Sequence, residues 1–92
     1  MPVSVDNMKA EHWNAIFDVA DAAAQARWAA DGGPRTDTDV RHIIEQLHPT
    51  AAELAPLLDV VGRYDLDRRL AVRQFLNRFR TSYACKLLGV DA

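Results

Sequence analysis

Apolar residues recur along this chain at steps of three and four, never in sustained alternation, and that spacing predicts helices from end to end. In a first helix, about residues 7–31, Ala10, Trp13, Ile16, Phe17, Ala20, Ala24 and Trp28 share one face. Glu11, Asn14, Asp18, Asp21 and Gln25 lie opposite. Asp6 or Asn7 is the expected cap, and Gly32-Gly33-Pro34 supplies the stop. The flank between the faces is small (Ala15, Ala22, Ala26, Ala30), which favours helix and lets a second helix approach closely.

A second helix, about residues 38–48 and starting at Thr36 or Thr38, carries Val40, Ile43, Ile44 and Leu47 at helical spacing and ends at Pro49. Thr50-Ala51-Ala52-Glu53 then matches a capping box. It opens a third helix, about 51–62, with Leu54, Leu57, Leu58 and Val61 on its apolar face and Gly62 as its end. Pro56 lies inside that stretch and costs a helix roughly 3 kcal/mol. A kink is expected there, or a turn ahead of a helix beginning near Ala55. The fourth helix, about 66–88, is capped by Asp65 or Asp67 and closed by Gly89. Val72, Phe75, Leu76, Phe79, Tyr83 and Leu87 form its inner face. The reading is all-α: one compact four-helix domain over residues 1–92, with a long first helix, two shorter ones and a long basic fourth.

Charge divides the chain. Through residue 62 four basic residues face ten carboxylates, 4 − 10 = −6; from Arg63 onward the sum is 7 − 3 = +4. Such asymmetry points to charged partners. On the fourth helix Arg69, Arg73, Asn77 and Arg80 line one flank, with Arg68 and Arg78 bordering the other. These six residues are the candidate partner-binding site, for protein or nucleic acid. Their alternative use is to neutralise carboxylates of the first two helices.

Other chemistry finds little support. His42 and Glu45 have a two-ligand spacing, but His48 points elsewhere and no second histidine–carboxylate pair completes a helical metal site, so no metal or cofactor is expected. His12 is expected at the surface or on a helix flank. Cys85 reads as a small partly apolar residue, because Lys86 projects about 100° away round the helix and no histidine follows to act as base. No phosphate-cradling loop or nucleophile elbow appears, and an enzyme is not expected. Thr50 to Val61 resembles the opening helix of a helix-turn-helix, yet the would-be recognition helix carries Glu53 and Asp59 and no base before Arg63.

A lone cysteine and the absence of a basic-apolar leader or a long apolar run suggest a cytoplasmic protein without a membrane partner. Heavy alanine and arginine use suggests a GC-rich source, bacterial or phage. The leading functional expectation is a helical regulator, adaptor or inhibitor that binds a protein with an acidic surface, with homodimerisation a variant. Nucleic-acid binding by the fourth helix is the alternative, opposed by a pI near 5.8.

Overall fold

The computed structural model of the protein describes residues 8–31 and 40–89. Four helices form there: α1 (Ala10–Ala30), α2 (Val40–Gln46), α3 (Ala51–Tyr64) and α4 (Arg68–Leu88). No strand occurs among the described residues, and the all-α, four-helix expectation holds. Asp6, Asn7, Thr36, Thr38 and the Gly32-Gly33-Pro34 stop lie outside the described residues.

Local chemistry sets the ends. Lys9 is extended at the N-cap of α1, and its N–H donates to Nδ1 of His12 at 3.1 Å. At α3 the capping box closes as the sequence predicts. The Glu53 N–H donates to the Thr50 hydroxyl at 3.2 Å, and the Thr50 N–H donates to the Glu53 carboxylate at 2.7 Å. Asp67, rather than Asp65, caps α4 by accepting the Leu70 N–H at 2.9 Å. Gly89 ends it at φ 73°, in the left-handed region that glycine adopts without steric cost.

Three expectations about boundaries change. First, α2 ends at Gln46 rather than near His48. The residue before a proline is pushed out of helical conformation, and side chains from elsewhere take the freed carbonyls. Arg80 Nε donates to the Leu47 carbonyl at 3.1 Å, and Arg27 donates to the His48 carbonyl at 3.0 Å. Second, α3 runs through Pro56. That proline is exposed, so water can reach the Ala52 carbonyl to which it offers no N–H. Third, α3 also passes Gly62 and turns at Asp65, whose φ is 53°. The Asp65 and Leu66 N–H groups both reach the Val61 carbonyl, and buried Leu66 anchors the turn. Because a left-handed conformation costs most L-residues roughly 1–2 kcal/mol, Asp65→Gly is expected to stabilise the fold by about 0.5–1 kcal/mol in urea unfolding.

Packing is dominated by α1 against α4. Ile16, Ala20 and Ala24 of α1 and Ala71, Phe75, Phe79 and Tyr83 of α4 are buried, and each row advances in steps of four. Rows at that step are the ridges by which helices interdigitate, here with alanines and phenylalanines in one core cluster. Trp13, Phe17 and Trp28, placed by the sequence on the inner face, are half-buried at its borders, and His12 is buried instead. On α3 Leu57 and Val60 enter the core while Leu58 is 44% exposed, which corrects its assignment to the apolar face.

The direction of each helix follows from its cross-links. Asp21 meets Arg78 and Asp31 accepts from the Tyr83 hydroxyl, so α1 and α4 run parallel. His12 meets the Tyr64 ring and Arg27 meets Glu53, so α3 runs antiparallel to α1. The N-terminal end of α4 therefore emerges beside the start of α1. That placement governs which arginines find internal partners.

Candidate interaction surface

The six polar residues predicted as a site on α4 have two different fates. Arg78 lies between α4 and α1, donating to Asp21 through Nε at 2.8 Å and through a terminal nitrogen at 3.0 Å. This two-pronged bond raises the Arg78 pKa further above its already high ordinary value and keeps it charged. Its guanidinium also sits 5.2 Å from the centre of the Phe17 ring, which explains why Phe17 stays at the helix border. Arg80, one turn on, is occupied by the Leu47 carbonyl. Both side chains serve the fold.

Arg68, Arg69, Arg73 and Asn77 are exposed on the first three turns of α4, away from the buried Ala71–Phe75–Phe79 row. Among the described residues no carboxylate pairs with Arg68, Arg69 or Arg73. The expected choice between an internal and an external role thus divides by position. Where the α2–α3 link and α1 pack on α4, the arginines turn inward. Beyond those contacts they face solvent. A helical rise of 1.5 Å per residue places Arg69 and Arg73 about 6 Å apart along the axis.

The chain also uses an arginine that sequence reasoning had only counted as charge. Arg27, in the last turn of α1, donates through Nε to Glu53 at 3.1 Å and through a terminal nitrogen to the other carboxylate oxygen. It reaches the His48 carbonyl as well and lies 5.6 Å from the Phe79 ring centre. Burial pushes the Glu53 carboxyl upward, but the Thr50 N–H and the hydrogen bonds and charge of Arg27 more than offset it, and the net direction is down. Nothing local announces Arg27, because its partners lie two helices further along the chain.

The remaining candidates separate. Glu45 pairs with Arg41 at 3.2 Å on an exposed turn of α2. No group of three or more potential metal ligands gathers among the described residues. His12 departs from its expected surface position, lying 4.9 Å from the Tyr64 ring, where it joins the start of α1 to the end of α3. Its Nδ1 is already engaged as the cap acceptor. Cys85 is half-buried on α4, and no histidine hydrogen-bonds it among the described residues. No described helix is long and apolar enough to cross a membrane.

Comparison of the chain with protein-family models, curated proteins and solved structures finds no match. Function must therefore be argued from the surface itself.

Proposed function

We propose that this chain is a small helical regulator, adaptor or inhibitor without catalytic activity of its own, acting by stoichiometric binding to a larger protein. The observation that carries this reading is the contrast within one helix. Arg78 and Arg80 have internal partners, whereas Arg68, Arg69 and Arg73 stand exposed without a carboxylate among the described residues. An acidic patch on the partner suits this set, with Asn77 adding hydrogen bonds at its edge. Exposed like charges of this kind steer encounter and set register. The composition supports a bacterial or phage cytoplasm as the setting.

Nucleic acid is the less favoured occupant of the same flank. The aromatic residues Phe75, Phe79 and Tyr83 of α4 are at most 1% exposed, which removes them as stacking platforms for bases. The overall acidity of the chain adds repulsion at long range.

One variant tests both ideas. Arg68→Ala/Arg69→Ala/Arg73→Ala is expected to unfold within about 0.5 kcal/mol of wild type, because the three side chains hold no partner among the described residues. Affinity capture from the native host with wild type and variant should then show one protein retained near one-to-one stoichiometry and lost with the variant. A parallel titration with duplex DNA and single-stranded RNA at about 50 and 200 mM salt should show no steep salt-dependent binding. Tight, salt-sensitive nucleic-acid binding abolished in the variant would overturn the protein-partner reading in favour of the alternative.

A further inference from the structure

A second surface, separate from the α4 arginines, lies between α1 and α3. These two helices diverge enough to leave an open groove formed by two adjoining hollows of about 560 and 340 Å³, which share Val19 and Pro56. The smaller hollow has a floor of Ala22, Ala23 and Ala26 from α1 and Ala52 from α3. Small side chains at these positions leave room for another helix to approach closely. The larger hollow is rimmed by Glu11 and Asp18 on α1 and Asp59 on α3.

The polar groups of the groove are strongly one-sided. Arg63 is the cation at its edge, and its guanidinium lies 5.9 Å from the Tyr64 ring centre. Glu53 borders the alanine floor, but its charge is matched by Arg27. Pro56 adds to the asymmetry, because it offers no N–H to the Ala52 carbonyl on the same floor. The groove therefore combines an apolar floor with an excess of acceptors and negative charge.

We infer that this groove is a docking site for an amphipathic, lysine- or arginine-bearing helix of a partner protein. Its apolar ridge lies on the alanine floor and its cations meet Glu11, Asp18 and Asp59. Glu11 and Asp18 are seven residues apart on α1, about 10 Å along the axis, so cations two turns apart on the incoming helix match them. Phosphate backbones and anionic membranes are repelled by the rim. A second copy of this chain fits less well. Its cationic helix, α4, already has Ala71, Phe75 and Phe79 buried in its own core and has no comparable ridge to offer.

The test uses the full chain and a fluorescein-labelled peptide of roughly 15 residues, near the shortest length at which a helix is appreciably populated in water. The peptide carries a leucine-alanine ridge flanked by lysines two turns apart; a control replaces each lysine with glutamate. The lysine peptide is expected to bind, more weakly at higher salt, and the glutamate control is not. Glu11→Gln/Asp59→Asn should weaken binding by roughly threefold to tenfold. The Arg68/Arg69/Arg73 alanine variant should bind the peptide as tightly as wild type, which separates this site from the surface proposed above. Equal binding of both peptides, or equal binding by wild type and Glu11→Gln/Asp59→Asn, would overturn the assignment. So would sedimentation showing self-association that those two substitutions abolish, since the occupant would then be a second copy.

Discussion

Replacing Phe79 with alanine is expected to cost about 3–5 kcal/mol, the largest effect of any single substitution considered for this fold. Phe79 is fully buried, and its ring stacks on Phe75 with centroids 5.7 Å apart. Its other neighbours explain why the cost falls at the high end. The core cluster includes Ala20, Ala24 and Ala71, which have no flexible side chains to swing into the space left behind. A hole lined by alanine methyls and helix backbone persists, and the loss of contacts adds to the loss of apolar burial. A chain of 92 residues is stabilised by roughly 5–14 kcal/mol in total, so this one change removes a large share of it. Urea unfolding followed by circular dichroism should show a much lower midpoint at unchanged slope. Phe79→Leu should lose markedly less, since leucine fills part of the same volume. If Phe79→Ala unfolds within about 1 kcal/mol of wild type, the buried step-of-four row on α4 is not the centre of the core.

That row shows which parts of the fold can be read from sequence. The Thr50–Glu53 box, the Asp67 cap and the Gly89 stop are interactions over three or four residues, and the residue types alone specify them. Phe75, Phe79 and Tyr83 are also legible, as large apolar groups at helical spacing. The inner row of α1 is not, because hydrophobicity favours Trp13, Phe17 and Trp28. Burial instead follows the ridge that meets the phenylalanines, where bulky rings have no room, and so His12, Ala20 and Ala24 go inside. The candidate site divides in the same way. That α4 bears a basic flank is evident from charge alone. Which of its arginines remain exposed depends on where the α2–α3 link and Asp21 come to rest, and spacing along α4 carries no trace of either. The groove was only half visible: the alanine flank of α1 could be read, but its alignment with Asp59 and Pro56 required the antiparallel packing of α3.

Arg27→Ala is expected to destabilise the protein by about 2–3 kcal/mol, well beyond the effect of removing Arg68, Arg69 and Arg73 together. The difference is one of placement. The Arg27 and Glu53 side chains are only 21% and 17% exposed, and the guanidinium bonds both carboxylate oxygens and the His48 carbonyl. Removing it leaves a partly buried carboxylate without its cation and a carbonyl beyond the end of α2 without its donor. Arg27→Lys should recover only part of the loss, because an ammonium cannot span both carboxylate oxygens and the carbonyl in the same fork. The pH dependence of stability gives an independent check. Glu53 has a folded pKa below its ordinary value of 4.5, so its ionised form stabilises the native state. That contribution is present in full above the ordinary value and is lost as pH falls through the lower folded one. In Arg27→Ala, Glu53 keeps only its Thr50 contacts, and burial, which opposes ionisation, counts for more. Between about pH 5 and 3 the stability of the variant should therefore fall less steeply than that of wild type. Equal slopes for the two proteins would show that Arg27 is not what holds the Glu53 charge in place.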